Sequence, residues 1–141
     1  MLDAARPHLL RMRGPGSIGV QVCNGGINAS LALGSALPGN LAFVTQAGAP
    51  ACAVLDWASS QGIGFSHFIS LGASADVDFG DMLDYLGSDP ATRVILLDME
   101  SVKSARKFMS AARAASRNKP VIVFKPGVDA AVTRAGMRVA T

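Results

Sequence analysis

The stretch Leu41-Ala42-Phe43-Val44-Thr45-Gln46-Ala47-Gly48-Ala49-Pro50-Ala51-Cys52-Ala53-Val54-Leu55-Asp56-Trp57-Ala58-Ser59-Ser60-Gln61 decides the fold. It opens with an apolar run of strand length, Leu41 to Val44, bounded by a small-residue turn from Thr45 to Gly48. Pro50 follows where the first turn of a helix tolerates a residue without an N–H. Val54, Leu55 and Ala58 then recur at helical spacing, with Trp57 adding bulk, so the spacing predicts a helix over Pro50–Gln61. A buried strand that turns through a tight loop into a helix is half of a βαβ unit. Such a loop leaves N–H groups unpaired at a helix N-terminus, where negative charge is stabilised. Thr45, Gln46, Ala47 and Gly48 are therefore a candidate phosphate loop.

The same alternation continues downstream. Strands are predicted at Phe65–Leu71, Val94–Leu97 and Pro120–Phe124, with a last short one at Met137–Ala140. Between them lie helices at Phe79–Leu86, Ser101–Asn118 (with Ser101 as cap) and Asp129–Arg134, the last stopped by Gly136. Upstream, a short helix in Met1–Leu10 breaks near Pro7. Gly14-Pro15-Gly16-Ser17-Ile18-Gly19 is a tight turn, Ile18–Val22 a strand, and Asn24-Gly25-Gly26 a hairpin-type turn into Ile27–Leu33. Gly34–Gly39 reads as loop. Strands alternating with helices over short loops predict an α/β chain with a flavodoxin-like, doubly wound parallel sheet. Ligands in such sheets bind at the carboxyl ends of the strands. That selects Thr45–Gly48, Gly72–Ser74, Asp98–Ser101 and Lys125–Gly127.

Composition agrees. The 141 residues suit one domain, 50% hydrophobic and 16% charged. The net charge of +3 comes without runs of like charge or basic residues interleaved with aromatics, which argues against nucleic acid. Cys23 and Cys52 form neither a metal spacing nor a disulfide framework, and no long apolar span or secretory segment is present, so the expectation is a cytoplasmic protein without membrane contact. His67 lies within a strand and reads as structural, and His8 sits near a chain end. Asp76, Asp78 and Asp81 read as a solvated helix start, and no metal site is expected. Asp98 and Lys125 at two strand ends also fit a response-regulator receiver, but the first strand ends in Thr45-Gln46, without the acidic pair that would hold Mg²⁺.

Several segments resemble the NDP-forming acyl-CoA synthetases, relatives of succinyl-CoA synthetase. They are Gly14-Pro15-Gly16-Ser17-Ile18-Gly19, Gly39 to Gly48, Val54-Leu55-Asp56-Trp57-Ala58, Ile69-Ser70-Leu71-Gly72 through Asp81, and Ala105-Arg106-Lys107-Phe108 through Val123. Ser110-Ala111-Ala112-Arg113 through Asn118-Lys119-Pro120 points to the branch fused to a GNAT acetyltransferase, which includes bacterial protein lysine acetyltransferases. The resemblance implies that residues 1–39 lead from a preceding CoA-binding domain and that 40–141 form the CoA-ligase domain. It implies an acyl phosphate made from acyl-CoA and phosphate, and a histidine that carries the phosphoryl group to a nucleotide on another domain. Gly14, Pro15, Gly16 and Ser17, with Thr45, Gln46, Ala47 and Gly48, would cradle that phosphoryl group, and Glu100 would orient the histidine. The implied cofactors are coenzyme A or acetyl-CoA, with ADP or ATP and Mg on another domain and none required by this one. The implied partners are a Rossmann CoA-binding domain, an ATP-grasp domain and a GNAT domain, with a homo-oligomer also in view.

Three departures accompany the resemblance. Gly16 stands where the family's first turn has asparagine, Ala47 where its second has a serine, and the histidine segment expected after Lys125-Pro126-Gly127 is absent. The expectation is a stretch missing between Gly127 and Val128, and a chain that does not turn over alone. The rival expectation is a non-catalytic domain that senses acetyl-CoA in a protein lysine acetyltransferase.

Overall fold

A computed structural model describes residues 1–125 and the backbone of 138–140. The helix expected at Asp129–Arg134, its Gly136 stop and the Gly127–Val128 junction lie outside the described residues. The chain opens with a short helix, α1 (Leu2–Ala5), and a 3₁₀ turn over Arg6–His8. β1 (Gly19–Val22), β2 (Ile27–Ser30) and β3 (Pro38–Thr45) follow, then α2 (Gly48–Ser60), β4 (Phe65–Ser70), α3 (Phe79–Ser88), β5 (Val94–Asp98), α4 (Ala105–Ser116), β6 (Val121–Phe124) and β7 (Arg138–Ala140).

Among the described residues these strands form one sheet in the order β2-β1-β4-β3-β5-β6-β7. From β4 to β7 every pairing is parallel. Numbered from β3, that half runs 2-1-3-4-5, the flavodoxin order. The sheet is not wholly parallel, however: β1 pairs antiparallel with both β2 and β4. The link between β1 and β2 is a single 3₁₀ turn, Cys23–Gly25, completed by Gly26 at φ 65°. A connection that short permits only antiparallel neighbours.

β2 stops at Ser30, short of the expected Leu33, because Gln21 draws the following segment back. Gln21 is buried; its Oε1 accepts from Ala36 N–H at 2.7 Å, and its Nε2 donates to Ser30 Oγ at 3.1 Å and Gly34 O at 3.0 Å. Residues 31–37 thus fold over the hairpin and start β3 at Pro38, three residues before the apolar run that announced it.

The strand period of two divides the core. Ala42 and Val44 of β3, Ile69 of β4, Ile95 and Leu97 of β5, and Val121 and Val123 of β6 face α3 and α4, which add Leu83, Leu86, Phe108, Ala111 and Ala115. Phe43 and Phe68 face the other way, onto Ala51, Leu55 and Ala58 of α2. Phe43 and Phe68 sit with ring centroids 5.3 Å apart. Burial of this kind contributes about 1.5–3 kcal/mol per large apolar side chain.

The helix starts differ in a way that matters for the site. α3 begins with a capping box: Asp78 Oδ1 accepts from Asp81 N–H at 3.1 Å, and Asp81 Oδ2 from Asp78 N–H at 3.0 Å. α2 has no side-chain cap. α4 starts at Ala105, so Ser101 is not its cap; the N-cap is Ser104, without a capping bond. Ser101 is held elsewhere, by Gln46.

Candidate phosphate loops at the carboxyl edge of the sheet

The register sets Thr45 of β3 beside Ser70 of β4 and Asp98 of β5. Three polar residues that each end an apolar strand are thus brought side by side, all of them buried. Thr45 Oγ1 lies 2.7 Å from Asp98 Oδ2 and accepts from Ala47 N–H at 3.0 Å. A hydroxyl has one proton, and the carboxylate is the stronger acceptor for it. Thr45 therefore fixes the turn into α2 and keeps no proton for a ligand.

The turn Gly14–Gly19 lies across the end of β4. Gly14 N–H donates to Leu71 O at 2.9 Å, Ala73 N–H to Pro15 O at 2.8 Å, and Ala75 N–H to Gly14 O at 2.9 Å. Ser17 Oγ donates to Ser70 O at 2.5 Å, and Ile18 N–H donates to Ser70 Oγ at 3.2 Å. Gly72, at φ +63°, permits this contact: a Cβ there would sit 2.2 Å from Pro15 O. The turn also reaches α2, since a Cβ on Gly48 would lie 2.9 Å from Ile18 Cγ2. The two candidate loops, Gly14–Ser17 and Thr45–Gly48, are therefore neighbours.

Their unused groups are on the backbone. Among the described residues, the N–H groups of Gly16 and Ser17 and of Gly48 and Ala49 find no acceptor, and Pro50 has no N–H to add. Side chains contribute little here: Ala47 has no donor, Ser17 Oγ is committed to Ser70 O, and Gln46 turns away. Gln46 Oε1 accepts from Glu100 N–H at 2.7 Å and from Ser101 N–H at 2.9 Å. Glu100 is thereby pinned to the Thr45–Gly48 loop through its backbone while its side chain stays exposed.

Of the other expected segments, Gly72–Ser74 is bonded to the first loop through Ala73, and Lys103 Nζ donates to Ser74 O at 3.2 Å. Lys125 follows β6 and is half-buried; Pro126 and Gly127 lie outside the described residues. His67 is buried within β4, with Nε2 3.2 Å from Tyr85 Oη and Nδ1 3.5 Å from Asp89 Oδ2. Burial pushes its pKa down, against the pull of Asp89. His8 is exposed.

The acidic residues after Ala75 are tied to cations. Arg11 Nε meets Asp76 Oδ2 at 3.1 Å, and Lys107 Nζ meets Asp78 Oδ1 at 2.9 Å and Asp81 Oδ2 at 2.6 Å. Burial opposes the charge on Asp81, but hydrogen bonds from Lys107 and from Asp78 N–H overcome it and hold the carboxyl at about 2. Among the described residues no group of three or more His, Cys, Asp or Glu side chains is placed to hold a metal ion, and no helix is long and apolar enough to cross a membrane.

Asp98, selected in the sequence as a strand-end candidate, serves instead as the acceptor for Thr45, a role that depends on register. One residue at this edge carried no signal in the sequence. Arg13 precedes the turn. Its Nη1 donates to Ser70 O at 3.3 Å, and it lines an open hollow with Ser17, Ile18 and Gly19. Burial lowers its pKa from the ordinary guanidinium value.

Comparison with known proteins agrees with this architecture. Residues 38–141 match the family described as the succinyl-CoA ligase like flavodoxin domain. The chain is 39% identical over 127 residues to the alpha subunit of ADP-forming acetate–CoA ligase I of Pyrococcus furiosus, covering 90% of this chain and 28% of that one. It is also 39% identical over 127 residues to ADP-forming acetate–CoA ligase I of Archaeoglobus fulgidus, covering 90% of this chain and 18% of the relative. Among solved structures, the dinucleotide-forming acetyl-coenzyme A synthetase 1 of Ca. Korarchaeum cryptofilum, in complex with phosphate and ADP, superposes with a TM-score of 0.85 at 33% identity, over 95% of this chain and 29% of that one. The chain thus spans less than a third of these proteins. By the extent of the match and the strand order, the chain belongs to the succinyl-CoA ligase-like flavodoxin domain family.

Proposed function

We propose that this chain is the CoA-ligase domain of an NDP-forming acetyl- or acyl-CoA synthetase, and that its two loops receive the phosphoryl group in transit. One observation carries the reading: two turns at the carboxyl edge abut through Ile18 and Gly48 and leave the N–H groups of Gly16, Ser17, Gly48 and Ala49 without acceptors. Backbone donors fixed before the reaction stabilise transferring phosphoryl charge without reorganising. In the reaction, a phosphate oxygen attacks the thioester carbonyl, the C–S bond breaks, and coenzyme A leaves as thiolate. A histidine nitrogen then takes the phosphorus from the acyl phosphate, releasing the carboxylate, and a nucleoside diphosphate takes it from the histidine.

This chain's share is to seat the phosphoryl group. Glu100, its backbone set by Gln46, is proposed to orient the histidine from its exposed side chain. The relatives' greater length implies further domains or subunits. We assign the nucleotide with its Mg²⁺ and the bulk of coenzyme A to them, in the form of a Rossmann domain, an ATP-grasp domain and, in the branch suggested by residues 110–120, a GNAT domain. The proposed compartment is the cytoplasm.

A second reading is favoured by one observation: the hydroxyls of Thr45 and Ser17 are both occupied within the protein, and Ala47 has none. A domain that keeps the cradle but lacks side-chain donors suits a regulatory module that senses acetyl-CoA. Incubating the intact protein with Mg²⁺ and γ-labelled nucleoside triphosphate tests the two. The ligase reading expects an acid-labile, base-stable phosphohistidine that acetate and coenzyme A discharge. No label, with acetyl-CoA binding retained, refutes it in favour of the regulatory reading.

A further inference from the structure

We propose that Arg13 is the cation of the phosphoryl site, binding the phosphate group from the hollow beside the Gly14–Gly19 turn. The inference rests on the reading of the two loops as phosphate-binding and adds a residue and a charge to it. Four unpaired N–H groups supply only partial charges, whereas a phosphate at neutral pH is close to a dianion. A full positive charge at the site needs a side chain.

The position of Arg13 fits that requirement. Its Nη1 and Ser17 Oγ converge on the same carbonyl, Ser70 O, at 3.3 and 2.5 Å. The guanidinium is therefore held next to the residue whose N–H lacks an acceptor. A guanidinium carries five N–H donors, and only one has an acceptor among the described residues. Among those residues Arg13 also has no carboxylate within salt-bridge distance, and the hollow it lines is bounded by Ser17, Ile18 and Gly19 of the first turn on one side and by residues 28–31 of the hairpin on the other.

The neighbouring Arg11 provides the contrast. Its Nε reaches Asp76 at 3.1 Å and its Nη2 reaches Asp81 at 3.4 Å, so its charge is already balanced. Of the two arginines in the hollow, only Arg13 has charge to offer. A planar fork with donors left over recognises a phosphate through two parallel hydrogen bonds.

The test titrates the intact protein with inorganic phosphate and, in a second arm, with coenzyme A, following heat and the amide resonances of Gly16 and Ser17. R13Q is expected to weaken binding about tenfold, the loss of one charge-assisted contact, and to flatten its salt dependence. R13K, which keeps the charge but loses the planar fork, is expected to fall between R13Q and the native protein in affinity while keeping the native salt dependence. R106Q, an exposed arginine of α4 outside the hollow, is expected to leave affinity unchanged, and melting curves confirm that each variant is folded. A loss in the phosphate arm assigns Arg13 to the transferred group, and a loss confined to coenzyme A assigns it to the carrier's own phosphates. If R13Q binds both ligands as the native protein does, the inference is overturned while the loop reading stands. If the native protein binds neither ligand, the loop reading falls and the inference with it.

Discussion

Replacing Gly72 with alanine measures how tightly the first loop is seated on the sheet. Gly72 has φ +63°, and its added Cβ would lie 2.2 Å from Pro15 O, 2.7 Å from Ser17 N and 2.8 Å from Gly16 C. All three are backbone atoms, so no rotamer relieves the overlap. The left-handed conformation alone costs alanine about 1–2 kcal/mol. Displacing the turn also breaks the Ala73–Pro15 bond at 2.8 Å and the Ser17–Ser70 bond at 2.5 Å. Each is worth about 1 kcal/mol.

G72A is therefore expected to lose about 3–4 kcal/mol in urea denaturation, or roughly 10–15 °C in Tm for a chain of this size. Gly62 supplies the control. It has φ +67°, and nothing lies within 4 Å of its added Cβ. G62A therefore isolates the conformational cost of about 1–2 kcal/mol. If the two variants lose the same stability within about 0.5 kcal/mol, the turn is not pressed against Gly72 and the account of the loop's seating is wrong.

Two further outcomes follow from the same edge and from the neighbouring strand. T45V should cost about 1–3 kcal/mol in chemical denaturation, because Asp98 and Ala47 N–H both lose their partner in a buried setting. T45S should recover most of that loss, and a T45V variant as stable as the native protein would refute the assignment. Burial lowers the pKa of His67 below 6.5, so the unfolded chain takes up a proton first as pH falls. Stability should accordingly decline below about pH 6.5, by at most ~1.4 kcal/mol per pH unit; H67N should remove that part of the slope in pH-dependent melting, and an unchanged slope would refute it.

Apolar runs and helical spacing made the parallel half of the fold legible, because burial on both faces leaves a mark in every strand. Leu41–Val44 and Val94–Leu97 fall inside β3 and β5, and Pro50–Gln61 overlaps α2 to within a turn. What escaped was set by single polar side chains acting over long separations. The end of β2 depends on Gln21 reaching Ala36, and Ser101, a serine at the head of a helical run, is bound not as its cap but by Gln46, 55 residues earlier. The hairpin-type turn at Asn24–Gly26 announced the antiparallel β1–β2 pair, but the antiparallel docking of β1 on β4 was silent, since nothing in a four-residue strand names its other neighbour. Within the site, the glycine turns and their positions at strand ends could be read directly. The internal engagement of Thr45 and Ser17 could not, because each hydroxyl answers to a partner that only the sheet register supplies.

The carboxamide of Gln46 spans two crossovers with one pair of hydrogen bonds. Residues 45–48 and 100–101 are consequently a single mechanical body: neither segment can swing outward without dragging or releasing the other. A displacement of residues 100–101 would pull on the entrance of α2, and anything that stiffens that entrance would stiffen residues 100–101 in return. Docking by a neighbouring domain on one segment would thus be felt on the other, with no rearrangement of the sheet beneath.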